Sequence, residues 1–287
     1  KTPGGNDMNS KILKNFLLKF LLPVVVFLLL LTLYNVYLAL AFAAIYIGSV
    51  IYMGRATVFS IMGNVSYGRG DMKKSAEWFS KAYMTGKARP NTIISYAYLL
   101  LKLGNVDDSE GILKKFISAS PSHDDEMLAK SNLALVLWKK GDLDGAINML
   151  EEVFATYKTT TVYGSLGYLM LLKGDLEKAL AFNQEAYEYN DNNSVIVDNL
   201  ALNYYLLGEL DKAEEIYEKL MTKNPTYPEA YYNYGLTLEA KNKIDKALEV
   251  MEKALDFKFS FLSNVSREEV ENKIQELKAK KQDSVEQ

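Results

Sequence analysis

Nearly the same eight residues occur three times, as KGDLDGAI at 140–147, KGDLEKAL at 173–180 and LGELDKAE at 207–214. With the bend glycine as a marker, Gly70, Gly104, Gly141, Gly174 and Gly208 follow one another, and Asn242 takes the sixth place. The intervals are 34, 37, 33, 34 and 34 residues. A polar bend returning at fixed spacing requires a stack of like units, each burying its apolar face against its neighbours. Glycine suits a helix-ending position with positive φ, and Asn is the usual second choice.

Other positions keep the same period. Seven residues before the marker stand Gly63, Ala97, Ala134, Gly167, Ala201 and Gly235, all small enough for two helices to approach closely. Two residues after it come Met72, Val106, Leu143, Leu176, Leu210 and Ile244, all apolar. Five after it come Ser75, Ser109, Ala146, Ala179, Ala213 and Ala247, again small. The repeated phrase is therefore the bend between two packed helices, and it carries no chemistry of its own.

With this spacing and these columns, residues 56–257 resemble six tetratricopeptide repeats (TPR), starting near 56, 90, 127, 160, 194 and 228. The resemblance implies an all-α chain: a right-handed solenoid of about six antiparallel helix pairs. Pro121 and Pro225 fall where the family often places Pro between repeats. Asn183 departs from the usual large apolar residue of a second helix, Phe116 replaces a smaller one, and the connection ASPSHDDEM carries three extra residues. A last repeat needs a lid. Ser266-Arg267-Glu268-Glu269 reads as a capping box, followed by an apolar stripe of Val270, Ile274 and Leu277. Residues 258–287 thus read as a capping helix, over 266–280, and a frayed tail.

Ahead of the repeats, Phe16 to Met53 form 38 residues with one charge, Lys19. As one helix they would reach about 57 Å, against a hydrocarbon core of ~30 Å. Splitting at Tyr34-Asn35 gives two spans, 16–33 and 36–53, so residues 11–55 are expected to form a transmembrane helical hairpin in the lipid bilayer. One span plus an interfacial segment is the alternative. Lys11 and Lys14 precede the first span, and Arg55, Arg69, Lys73 and Lys74 follow the second, which puts both ends in the cytoplasm. Only Gly54 and Arg55 separate the second span from the first repeat, so the span is expected to run into it or stack on it. Residues 1–10 are a tail, and KTPGGND before Met8 reads as foreign to the natural start. The Lys/Asn/Ile/Tyr bias points to a low-GC bacterium and hence to a bacterial cell membrane.

Residues 1–55 hold five basic side chains and one acid, leaving 28 basic and 35 acidic side chains, a balance of −7, for the remainder. An acidic body lacks the basic face that nucleic acid requires. There is no Cys, so thiolate metal sites and Cys nucleophiles are excluded. The single His, His123, sits among adjacent acids in SPSHDDEM, where side chains do not converge as a metal site or triad requires. It reads as part of an exposed loop. No P-loop or dinucleotide fingerprint is present. No catalytic, cofactor-binding or metal residue is assigned, and the chain is not expected to be an enzyme.

The remaining candidates are for binding. Counting from each repeat start places Tyr67, Tyr98, Trp138, Tyr168, Tyr205 and Tyr232 toward the concave side. Ser95, Asn132, Ser165, Asn199 and Asn233 occupy one equivalent position in five successive units. Asn there resembles the ladder that grips peptide backbone in the TPR region of O-linked N-acetylglucosamine transferases. An amide can bond both C=O and N–H of an extended chain, or it can pack within its own helix pair. The basic residues of carboxylate-clamp TPR domains have only Lys102 and Lys139 as counterparts, which disfavours an acidic chaperone tail. The expected function is a membrane-anchored adaptor whose groove takes a protein or an extended peptide. The alternatives are a homo-oligomer built through hairpin and solenoid, with Gly48-Ser49 and Gly54 as packing residues, or an accessory subunit of a membrane complex.

Overall fold

A computed structural model describes Lys14 and residues 17–286, so the tail 1–10 and the flanking Lys11 lie outside the described residues. Among the described residues there are fourteen α-helices and no strand. In chain order they are α1 (Leu22–Leu33), entered through a π-helical turn at Leu17–Leu21, α2 (Val36–Gly68), α3 (Met72–Met84) and α4 (Pro90–Lys102). Then come α5 (Val106–Ser118), α6 (His123–Lys139), α7 (Leu143–Thr156), α8 (Thr160–Lys173) and α9 (Leu176–Tyr189). The last five are α10 (Ser194–Leu206), α11 (Leu210–Met221), α12 (Pro228–Ala240), α13 (Ile244–Ala254) and α14 (Arg267–Glu286).

The bends share one construction. Gly70, Gly104, Gly141, Gly174, Gly208 and Asn242 all have positive φ, from 58° to 93°. At five of the six, the amide after the bend residue reaches back along the chain to close a Schellman turn, as in Asp71 N to Ser66 O at 3.0 Å and Asp142 N to Leu137 O at 3.0 Å. The Asp of the repeated phrase then caps the second helix. Asp71, Asp142 and Asp175 each accept an amide three residues on. One short phrase thus both ends a helix and starts the next.

Small residues hold each pair together. A Cβ on Gly63 would lie 2.6 Å from the Phe79 ring, on Gly167 2.1 Å from Asn183 Oδ1, and on Gly235 2.3 Å from Met251 Cγ. Where the later column carries Ser, its hydroxyl bonds the first helix: Ser75 to Gly63 O at 2.9 Å and Ser109 to Ala97 O at 2.8 Å. Asn183, fully buried opposite Gly167, donates to Asn203 Oδ1, which explains a polar residue in an apolar column. The three extra residues before the third unit lengthen α6, which runs to 17 residues against 13 in α4. His123 is accordingly the first residue of that helix, not part of a loop, and Asp124, Asp125 and Glu126 line its positive N-terminal turn.

α14 completes the stack. Ser266 N donates to Glu269 Oε2 and Glu269 N to Ser266 Oγ, a reciprocal capping box. Val270, Ile274 and Leu277 are buried in one cluster with Tyr217, Tyr234 and Met251. The helix runs on to Glu286, beyond residue 280.

At the other end α2 is a single helix of 33 residues, with no break at Gly54-Arg55. Its C-terminal half packs on α3 as the first helix of the first repeat, and between Val36 and Arg55 only Ala39 is buried. Among the described residues it is the helix long and apolar enough to cross a membrane; the apolar stretch Leu17–Leu33 is shorter. α1 packs on α2 across the Tyr34-Asn35 turn, where Asn35 caps α2 by accepting from Leu38 N, and the Tyr46 hydroxyl donates to Lys19 O.

Candidate functional site

The first helices of successive repeats, α4, α6, α8, α10 and α12, place one turn each along a cavity of about 820 Å3. Tyr98, Trp138 and Tyr168 form an aromatic wall, with the Trp138 and Tyr168 rings edge to face at 5.7 Å. Burial pushes the Tyr98 and Tyr168 hydroxyls up to about 12. They are therefore neutral hydrogen-bonding groups at any physiological pH. Lys102 and Lys139 lie against this wall, Lys139 Nζ 4.1 Å from the centre of the Trp138 ring. Burial holds the Lys139 ammonium below its ordinary range, opposed by the charge of Glu229.

The floor is polar and belongs to repeats four to six. Ser165, Asp198, Asn199, Glu229 and Asn233 reach the cavity. Asp198 Oδ1 accepts from the Tyr217 hydroxyl at 3.1 Å and from Asn233 Nδ2 at 3.3 Å. Desolvation outweighs these bonds and raises its carboxyl to about 7, with Glu229 adding to the rise. Asn199 Nδ2 donates to Gly164 O at 2.8 Å. The donors of Asn199 and Asn233 thus link the first helices of neighbouring repeats, each across 35 residues of chain.

Of the residues expected to form a groove, Tyr98, Trp138, Ser165, Tyr168, Asn199 and Asn233 meet at this cavity, as does Tyr67. Four do not reach it. Ser95 is exposed and Asn132 is buried within its own helix pair. Tyr232 packs on the cluster that holds Val270, Ile274 and Leu277, and Tyr205 packs beside Leu200 and Tyr204. Helix α14 occupies the ground that an open sixth repeat would have offered.

The remaining wall comes from residues 256–264, between α13 and α14, where the sequence predicts only the approach to the capping helix. Asp256, Phe257, Lys258, Ser260, Leu262, Ser263 and Asn264 all face the cavity. The alternation Phe257, Phe259, Phe261 was the available signal, since period two marks an extended chain with one side packed. Among the described residues no group of three or more His, Cys, Asp or Glu side chains could hold a metal ion.

Comparison with known proteins agrees with the fold. Family models described as tetratricopeptide repeat match residues 127–161, 198–227 and 216–249. The TPR repeat-containing protein MJ1428 of Methanocaldococcus jannaschii is 22% identical, over 57% of this chain and 38% of its own length. DnaJ homolog subfamily C member 3 of Gallus gallus is 26% identical over 55% of this chain and 32% of its own. The chain spans roughly a third of the length of these curated relatives. Among solved structures, a tetratricopeptide repeat protein from Parabacteroides merdae superposes with a TM-score of 0.62 at 13% identity, covering 83% of this chain and 92% of that one. A thermophilic TPR protein from Thermus thermophilus gives 0.54 at 19% identity, covering 66% and 98%. These likenesses show a solenoid of helix pairs and speak to fold alone.

Proposed function

Because the chain is a tetratricopeptide-repeat protein, we propose that it works as a membrane-anchored scaffold, holding a protein or peptide partner in its concave cavity at the cytoplasmic face of a bacterial cell membrane. The observation that carries this reading is helix α2. Its first half presents apolar side chains outward, with Tyr37, Ile45, Ile51 and Met53 each at least 60% exposed, and its second half is the first repeat helix. Apolar surface of that extent is stable in hydrocarbon and unfavourable in water. An unbroken helix then fixes the solenoid close to the bilayer. The cavity supplies what a partner needs: an aromatic wall for area and a polar floor for orientation.

Two measurements test this. The chain is to be crosslinked in native membranes through a photoreactive residue at Leu135, which lines the cavity, and its partners identified. Specific adducts that disappear with Trp138→Ala are expected; adducts that ignore this change would refute the cavity as the docking site. For topology, Tyr34→Cys should react with an impermeant thiol reagent outside intact cells, because Tyr34 is exposed at the turn. Glu188→Cys, on the solenoid surface, should react only after lysis. Labelling of Glu188→Cys from outside would overturn the cytoplasmic placement.

A further inference from the structure

The concave side already holds a ligand, and that ligand is the chain itself. Phe261 N donates to Lys102 O at 3.0 Å, the carbonyl that ends α4. Lys258 Nζ donates at 2.6 Å to Gly70 O, just past the end of α2. Carbonyls at a helix C-terminus lack intrahelical donors and carry the negative end of the dipole, so an amide and an ammonium are the groups they accept best. Further along, Lys139 Nζ donates to Ser263 O and Asn264 Nδ2 to the Tyr168 hydroxyl. Four polar contacts thus tie one short extended segment to repeats one, two, three and four. Leu262 packs on the cluster of Ile94, Leu101 and Leu133.

Nothing in the repeat architecture demands these contacts. A capping helix needs only a short connection from α13, and the stretch from Leu255 to Ser266 is longer than the 2–8 residues common between packed helices. Its bonds use main-chain and small polar groups of the kind any extended peptide carries. The Phe261 ring, lying over Gly104 and near Lys139, remains 43% exposed. The contact is held by groups that a second chain could supply equally well.

We propose that residues 256–264 are an intramolecular ligand of the cavity, and that the partner bound in trans is an extended segment of the same chemistry. That segment has aromatic residues at alternate positions, separated by Lys or Ser, and it exchanges with the strap. This rests on the reading of the cavity as the partner site, and it adds the partner's chemical class and a closed resting state. The apparent affinity for any partner is reduced by the fraction of chains whose strap is detached.

The test uses the full chain in detergent micelles and a fluorescent peptide, DFKFSFLSNVS, equal to residues 256–266. Phe261→Ala loosens the strap without touching the repeat core. We expect it to bind the peptide about tenfold more tightly than the parent chain, and a scrambled peptide to bind neither. Hydrogen exchange on the unmodified chain gives a second readout that needs no variant. The Phe261 amide, protected when the chain is free, should lose protection at saturating peptide. Equal peptide affinity for the two chains, or unchanged Phe261 protection with peptide bound, overturns the proposal. Should that happen while Trp138→Ala still abolishes membrane crosslinks, the cavity remains the docking site and only the strap assignment falls. Crosslinks that survive Trp138→Ala remove both.

Discussion

Asp198→Asn is expected to stabilise the protein at pH 8 and to change little at pH 4. The carboxyl is buried, and desolvation raises it from 3.8 to about 7, only partly offset by the bonds from Asn233 and Tyr217. In the unfolded chain it titrates near 3.9. Between those values the folded state holds a proton that the unfolded state has released, so stability falls as pH rises and levels off above about 7. Each pH unit in that window is worth up to about 1.36 kcal/mol, which bounds the whole effect near 4 kcal/mol. Asn keeps the oxygen that accepts from Tyr217 and Asn233 and cannot ionise. The gap between variant and parent should therefore open from near zero at pH 4 to its full size at pH 8. Chemical denaturation of both chains at each pH, followed by circular dichroism, measures it. Other titrating groups are common to both chains and cancel in the difference. A gap that is constant with pH, or a variant less stable than the parent at pH 8, would refute the assignment of a proton to Asp198.

Gly235→Ala should lower stability by about 1–3 kcal/mol, because its Cβ would enter the space of Met251 Cγ, and Met251→Ala in the same chain should recover part of that loss by thermal denaturation. Asn199→Ala and Asn233→Ala should each cost about 0.5–1.5 kcal/mol of stability, since each removes a bond between neighbouring repeats. Melting curves that match the parent would show those bonds to be idle. A flexible Gly/Ser insertion after Arg55 interrupts α2, and it should leave the solenoid folded while weakening membrane-dependent crosslinking. Unchanged crosslinking with a folded solenoid would show that the rigid junction is dispensable.

What could be read from the sequence is what local chemistry dictates. A Gly that must adopt positive φ, an Asp that must cap and a small residue that must admit a facing helix all act within one helix pair. Columns of such residues therefore survive in any unit of the array. The continuity of α2 was legible for the same reason, since no Pro or Ser-rich linker follows Met53. The Asn positions were harder. An amide at a regular place says that a polar group is wanted there, but not whether it faces a partner or the preceding repeat, and Asn199 and Asn233 bond 35 residues back. One periodic feature was overlooked. Lys140, Lys173 and Lys241, each just before a bend, pair with Asp107, Asp144 and Asp211 of the preceding unit. These pairs are exposed and contribute little stability, but they mark the register between repeats. The strap was missed because its partners lie far away: Lys258 meets Gly70 across 188 residues, and no local pattern encodes that distance.

That last contact gives the molecule a history. In a repeat array each unit touches only its neighbours, so units can fold in order as they leave the ribosome. Repeats one to four are complete by Tyr189, whereas the residues that cross their inner face end at Asn264. At about 5–20 residues per second, synthesis leaves on the order of ten seconds between those two points. Throughout that interval the nascent chain has an aromatic wall and no strap. A partner made nearby, or held at the membrane that α2 has already entered, meets its site open at birth and closed ever after.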